Sequence, residues 1–263
     1  MVSAIQMVSS ASLADNLLNA DQLITQAVEQ GAKLVALPEY FCMLGKKETD
    51  KLDIAESPGA GPIQDFLSEC ASRNKIWLSS GSIPIISPEA KKVFNTQLIF
   101  NPDGQQIARY DKIHLFSFAR GTESYDESRG IVAGDVVQRV DTSVVNLGLS
   151  ICYDLRFPEL YRSLGEVDLI LVPSAFTYTT GQAHWELLLR ARAVENQCYV
   201  LAPAQGGHHE NGRRTWGHSM LVDPWGEILS VLPEHAGVVT GTIDPARLTE
   251  VRESLPALRH RIL

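Results

Sequence analysis

Short apolar runs alternate with amphipathic stretches along most of the chain, and the two patterns predict strands and helices in turn. Residues 34–38 (LVALP) and 169–173 (LILVP) are continuous apolar runs, the pattern of strands covered on both faces. Residues 144–151 form another such run. Residues 13–30 have apolar side chains at 17, 20, 24, 27 and 28, with Gly31 in the C′ position of a helix. Ile63, Phe66, Leu67 and Cys70 keep helical spacing in a second helix. Residues 76–86 read as one strand, with Pro84 marking its edge or end. Residues 95–100, the turn Asn101-Pro102-Asp103-Gly104 and residues 105–110 predict a hairpin that runs into Asp111 and Lys112. Gly165 separates a helix from a strand at 167–173. Residues 181–197 predict a long helix whose buried stripe is Leu187, Leu188, Ala191 and Val194. Asp223-Pro224-Trp225-Gly226 is a turn between two late strands. No internal repeat, low-complexity stretch or linker interrupts the pattern, so a single domain over 1–263, of mixed α/β class, is expected.

Composition removes several function classes. A net charge of −8 argues against a nucleic-acid partner, which would want a basic face. It leaves an anionic substrate open, because a local arginine can overrule the global sign. The cysteines at 42, 70, 152 and 198 include no CxxC pair, which disfavours zinc-finger and thioredoxin chemistry. A reduced, cytoplasmic setting fits a thiol enzyme. Residues 1–6 lack the basic region and apolar stretch of a signal peptide, and the absence of any run of roughly 18 apolar residues predicts no membrane span.

The candidate chemistry sits where strands end. Cys152 follows the run 144–151 and precedes Pro158-Glu159, a good first helical turn. A thiol between strand and helix lies near backbone N–H groups, and a helix N-terminus favours the thiolate. The plain alternative is a buried structural cysteine. Glu39 ends the 34–38 run and Lys112 ends the hairpin. Taken singly, each reads as a surface charge or half of an ion pair. Together, an acid, an amine and a thiol at three strand ends form a plausible catalytic set, because sites collect at the carboxyl ends of strands.

LVALPEY (34–40), DKIHLF (111–116) and SICYDLRFPELY (150–161), in this order, resemble the nitrilase superfamily of carbon–nitrogen hydrolases. The resemblance runs from AIQM near the start to DPWGE (223–227) and beyond. It implies a four-layer α-β-β-α sandwich, a homodimer or larger homo-oligomer, and no metal or organic cofactor. It assigns Glu39 as general base, Lys112 as oxyanion stabiliser and Cys152 as nucleophile, with Glu127 as a fourth, acidic position. Residues 183–214 and 215–226 are most similar to the amidase branch acting on deaminated glutathione. That implies cleavage to 2-oxoglutarate and cysteinylglycine; the alternatives are ω-amidase, which acts on 2-oxoglutaramate, or hydrolysis of another small aliphatic carboxamide, with nitrile hydrolysis disfavoured by the amidase-like CYD-x-RF stretch. A non-catalytic scaffold on the same fold is a further alternative, which the intact Glu39, Lys112 and Cys152 oppose.

On this reading the small-molecule amide meets Tyr153, whose backbone N–H joins Lys112 at the oxyanion. The fork-shaped Arg156 guanidinium suits a substrate carboxylate, the alternative being a pair with Glu159. Thr177 and Tyr178 are expected at the same pocket. His208, His209, Arg213 and Arg214 are expected to hold the carboxylate of a dipeptide leaving group. Adjacent histidines rarely share one ion, so His208, His209 and His218 read as a polar loop rather than a metal site. Arg192 and Glu195 are expected as an i,i+3 scaffold pair. Trp185 and Trp225 are expected in packing or dimer contacts.

Overall fold

The computed structural model describes residues 1–121 and 123–262. The first half runs β1 (Val2–Gln6), α1 (Leu13–Glu29), β2 (Leu34–Ala36), a single turn α2 (Asp50–Asp53), α3 (Pro62–Asn74), β3 (Trp77–Ser79), β4 (Ile83–Ile86), β5 (Val93–Phe100) and β6 (Gln106–Asp111). A ribbon of β7 (Ser117–Arg120) and β8 (Glu123–Asp126) follows. The second half runs β9 (Arg139–Asp141), β10 (Asn146–Leu149), α4 (Pro158–Ser163), β11 (Leu169–Leu171), α5 (Tyr178–Asn196) and β12 (Tyr199–Ala202). It continues through β13 (Gly206–His208), β14 (Arg214–Trp216), β15 (Ser219–Val222), β16 (Ile228–Leu232), β17 (Gly237–Gly241) and α6 (Pro245–Ser254).

Two sheets carry the architecture. The first is ordered β17-β1-β2-β3-β5-β4, with β6 also on β5; the second is β16-β15-β12-β11-β10-β9. Each is built around three parallel strands, β1-β2-β3 and β10-β11-β12. Parallel strands need crossovers, and the helices that supply them cover the outer faces.

The continuous apolar runs are explained by this layering. Alternate residues of β1 and β2 point to opposite sides. Val2, Ala4, Leu34 and Ala36 join the second sheet's Leu147, Leu149 and Leu169 in one core. Ile5, Val35 and Leu37 pack instead with Ala20 and Ile24 of α1 and Ile63 and Leu67 of α3. Leu160 of α4 and Trp185 and Leu189 of α5 cover the second sheet. The layers are therefore α-β-β-α, as the resemblance implies.

Local chemistry sets the element ends. The Ser12 hydroxyl caps α1 by accepting from the Asp15 N–H at 3.3 Å. Gly31 follows with φ +90°, the left-handed conformation that ends the helix. Pro84 lies on β4, an edge strand, where its missing N–H is harmless.

Two expectations are corrected. The strand expected over 76–86 is two strands, broken at Gly81. Gly81 has φ +63°, and a Cβ there would run into the carbonyls of Leu37 and Pro38, beside Glu39. The buried stripe of α5 is Gly181, Trp185, Leu189, Arg192, Ala193 and Asn196. Leu187 and Val194 are 67% and 47% exposed. The face is set by Trp185, Leu189 and Ala193, which pack into the core, and on it Arg192 turns inward, donating from Nε and Nη2 to the Leu155 carbonyl at 3.0 and 2.8 Å. Its expected pair with Glu195 is present at 2.6 Å.

Candidate active site

Three strand ends converge on one buried cluster. Glu39 lies three residues beyond β2, Lys112 directly after β6, and Cys152 three residues beyond β10. Lys112 Nζ donates to Glu39 Oε1 at 2.9 Å and to Glu127 Oε1 at 3.0 Å. It also lies 2.9 Å from Glu127 Oε2. The Ala175 N–H donates to Glu39 Oε2 at 2.8 Å, and the Cys152 thiol is hydrogen-bonded to the same carboxylate. The side chains of Lys112 and Glu39 are 0% and 2% exposed, so bulk water screens this pair very little.

Burial works against the Lys112 ammonium, but Glu127 and then Glu39 outweigh it and hold its pKa well above the ordinary lysine value. Burial likewise works to raise the Glu127 carboxyl, and the Lys112 charge and the Phe116 N–H bring it below its ordinary value. Lys112 is thus a fixed cation and Glu127 a fixed anion at neutral pH. Glu127 opens a short turn, Glu127–Arg129, after the β7-β8 ribbon. The ribbon returns the chain so that Phe116 N donates to Glu127 Oε2 at 2.7 Å.

Cys152 occupies a constrained turn. Its φ of +49° is in the left-handed region, uncommon for a residue with a side chain. The Cys152 N–H donates to the Pro173 carbonyl at 3.0 Å. Asp154, fully buried, accepts from the Ile151 N–H at 2.8 Å and from the Tyr110 hydroxyl at 2.7 Å. Its other oxygen accepts from the His114 N–H at 3.0 Å and lies 2.7 Å from His114 Nδ1. One carboxylate therefore ties the cysteine turn to the segment carrying Lys112. The expected depression of the thiol pKa is not found. Burial and then Glu39 push the Cys152 thiol well above its ordinary value, with Lys112 opposing. The reason is local: Cys152–Arg156 is a short 3₁₀ turn, and α4 begins only at Pro158. The thiol is held protonated beside the Glu39 carboxylate.

The cluster faces a cavity of about 240 Å³. Tyr153, Arg156 and Thr177 line it, as do Arg213 and Arg214. The Arg156 guanidinium lies over the rings of Phe176 and Tyr153, at 5.5 and 5.8 Å, and near His184 Nδ1 at 3.3 Å. Among the described residues no carboxylate is within ion-pair distance of it, so the alternative pairing with Glu159 is not formed. Lys46, Lys47 and Lys51 add cations at the mouth, against Glu39, Glu48, Asp126 and Glu127, and Glu48 pairs with both Lys51 and Arg213.

The structure does not bring His208 and His209 to this cavity. His208 ends β13 exposed to solvent. His209 turns the other way, with Nδ1 2.9 Å from the Ser9 carbonyl and Nε2 2.7 Å from the Thr215 hydroxyl. Strand alternation sends neighbouring side chains to opposite faces, so the pair cannot act together. Tyr178 is also absent from the lining; its ring packs against Trp216 at 5.1 Å and under Arg214. Of the two tryptophans, Trp185 is buried in the core and Trp225 is 57% exposed. Sequence reasoning missed Tyr40, Asn95 and Asp154. Tyr40 and Asp154 each sit one or two residues from a candidate, inside quoted motifs; Asn95 carried no signal.

His209 carries a pH prediction. Burial holds its pKa below 6.5, with Arg213 and His208 acting in the same direction and the Ser9 carbonyl against. The folded state thus prefers neutral imidazole. This stability is complete above the unfolded value and is lost as pH falls through the folded one. Melting temperature should fall more steeply from pH 7 to 5.5 in the parent than in His209→Gln; parallel slopes would remove His209 from the account.

These features define a class, an α-β-β-α protein with an acid, an amine and a thiol buried at the floor of a cavity. The model of the carbon–nitrogen hydrolase family matches residues 1–253, and the chain belongs to that family. It is 46% identical to the deaminated glutathione amidase of Synechocystis sp., over 100% of this chain and 98% of the relative. It is 40% identical to Omega-amidase NIT2 of Homo sapiens, over 98% of this chain and 93% of that protein. The crystal structure of the C. elegans NitFhit protein superposes with a TM-score of 0.91 at 41% identity, covering 99% of this chain and 64% of that one.

Proposed function

We propose that the protein is a thiol amidase that hydrolyses deaminated glutathione to 2-oxoglutarate and cysteinylglycine. The observation that carries this reading is the Glu39–Lys112–Cys152 cluster beneath a cavity lined by Arg156, which has no carboxylate partner among the described residues. The substrate bears a carboxylate on each side of its amide. Arg156 receives the oxo-acid carboxylate, and Arg213 with the lysines at the mouth receives that of the leaving dipeptide. The 46% identity to an amidase of that name supports the choice.

Glu39 takes the thiol proton as Cys152 attacks the amide carbonyl. The oxyanion of the tetrahedral intermediate is held by Lys112 and the Tyr153 backbone N–H. Losing one such donor typically costs about 10²–10³ in rate. Glu39 returns the proton to the departing amine, since an amide anion does not leave unprotonated. Water, deprotonated by the same carboxylate, then cleaves the thioester and restores the thiol. The reaction is proposed to run in the cytoplasm, where thiols stay reduced.

Parallel assays with deaminated glutathione and 2-oxoglutaramate test the substrate, with Cys152→Ala as blank. The proposal expects preference for the dipeptide-releasing amide, and Arg213→Ala should reduce that preference about tenfold by removing one carboxylate contact. Preference for 2-oxoglutaramate in the parent would transfer the protein to ω-amidase.

Iodoacetamide should label Cys152 alone. All four thiols are raised by burial, but Cys152 alone among them opens on the cavity and lies beside a carboxylate that can take its proton, whereas Cys42, Cys70 and Cys198 are buried away from it. Peptide mapping that found these labelled at comparable rates would contradict the site. Self-association is also proposed, through the exposed apolar side of α5 at Leu187 and Val194, next to the Trp225 turn. Light scattering that returned a monomer at micromolar concentration would oppose it.

A further inference from the structure

The groups around Glu39 close into a hydrogen-bonded ring. Lys112 bridges Glu39 and Glu127. The Tyr40 hydroxyl donates to Glu127 Oε1 at 2.9 Å. Asn95 Nδ2 donates to the Tyr40 oxygen at 3.1 Å and to Glu39 Oε1 at 3.0 Å, which completes the circuit. The backbone shares the anchor, because the Lys112 N–H donates to the Asn95 carbonyl at 2.9 Å.

Donor directions in the ring are fixed. An ammonium only donates and a carboxylate only accepts. Burial, then Glu127 and Glu39, push the Tyr40 hydroxyl well above its ordinary pKa, so it keeps its proton and gives it to Glu127. Its oxygen is left to accept from Asn95. The amide orientation follows, since the flipped form would set Oδ1 against the Glu39 carboxylate. The consequence is visible on the far side: Asn95 Oδ1 is buried without a partner. An orphaned acceptor costs stability, and the residue is tolerated there for the two N–H bonds it spends on the ring. Tyr40 is likewise held in the left-handed region, φ +55°, a conformation that aims its ring between the two acids.

The lone pairs can be counted. Glu127 Oε1 accepts from Tyr40 and Lys112, and Oε2 accepts from the Phe116 N–H with the Lys112 charge 2.9 Å away, which leaves one Lys112 N–H for the substrate. Glu39 Oε1 accepts from Lys112 and Asn95. Glu39 Oε2 accepts the Ala175 N–H, and of the two oxygens of Glu39 it is the one with a position left for the thiol. We propose that Asn95 and Tyr40 are positioning residues: with Lys112 they fill Oε1 of Glu39 and Oε1 of Glu127, which fixes both carboxylates and leaves Glu39 Oε2 to exchange protons with Cys152 and the substrate. Glu127 is then a permanent anion that holds Lys112, and takes no part in proton transfer. This inference rests on Glu39 being the base.

The titratable groups facing Glu39 are Cys152, Lys112, Glu127 and Tyr40, so its ionisation is read through the thiol. Iodoacetamide alkylation of Cys152 is measured against pH in the parent, Tyr40→Phe and Asn95→Ala, with no amide turnover required. Removing a donor raises a carboxylate's proton affinity. The acid limb of the alkylation profile should move to higher pH in Asn95→Ala, which takes a donor from Glu39 directly, and by less in Tyr40→Phe, which takes one from Glu127 and reaches Glu39 only by releasing Asn95. With the amide substrate, kcat should fall about 10–100-fold while KM stays within about twofold. Profiles that superimpose on the parent's would overturn the inference. Tyr40→Phe removes a single oxygen and decides alone if Asn95→Ala does not fold. A parent that alkylates at Cys152 but cleaves neither amide would sink the proposed function and leave the ring's test intact.

Discussion

Glu39→Gln is expected to leave a folded protein with almost no turnover. Three steps of the proposed reaction use this carboxylate: thiol deprotonation, amine protonation and water activation. A general acid–base group contributes about 10²–10⁴ in rate, so kcat should fall at least that far. The substitution keeps the volume of a side chain that is 2% exposed. It also puts an amide NH₂ where either Lys112 and Asn95 or the Ala175 N–H now donate, so some donor loses its partner. Stability should therefore fall by about 1–3 kcal/mol, the cost of one buried unsatisfied group. Steady-state kinetics with a thermal melt checks both. A variant within tenfold of parental kcat would remove Glu39 from the chemistry.

Lys112→Met should be damaging in a different way. It removes an oxyanion donor, worth about 10²–10³ in rate. It also strips the cation from between two buried carboxylates, whose side chains are 2% and 13% exposed. Breaking a buried ion pair by removing one partner costs about 3–5 kcal/mol. The pH dependence should then change sign. In the parent, the depressed Glu127 pKa gives stability that is present above the unfolded carboxyl value and lost as pH falls through the folded one. Without Lys112 the carboxyls bind protons more readily folded than unfolded, so acidification should narrow the stability gap to the parent. Denaturant melts at pH 7.5 and 5 measure this. A gap that widened on acidification would contradict the electrostatic picture.

Much of this molecule was legible because strands must end somewhere. The apolar runs before Glu39 and Cys152 predicted buried parallel strands, and the layering explains them residue by residue. Lys112 was legible through the hairpin, since β5 and β6 pair and its backbone continues off β6. Periodicity alone gave mixed α/β; the second sheet came from the resemblance to a known family.

What was not legible depends on contacts between distant segments. Asn95 reaches Glu39 across 56 positions and Asp154 reaches His114 across 40. No local pattern encodes either. His208 and His209 were misplaced because the sequence shows two polar neighbours but not that a strand separates their faces. The α5 stripe was misread for a related reason. Arg192 looks like a surface residue in sequence, but it lies on the buried face with Trp185, Leu189 and Ala193, where the Leu155 carbonyl accepts from it. Cys152 was placed correctly while its ionisation was not, because the pattern could not show that Glu39 and burial outweigh the turn's N–H groups.

The central claim is that Cys152 carries the acyl group of deaminated glutathione. Rapid-quench intact mass spectrometry of the parent with that substrate tests it most directly. The account predicts a transient 2-oxoglutaryl adduct mapping to Cys152, with cysteinylglycine released as it forms and no adduct in Cys152→Ala. Substrate cleavage that proceeds in Cys152→Ala, or an adduct on another residue, would contradict it.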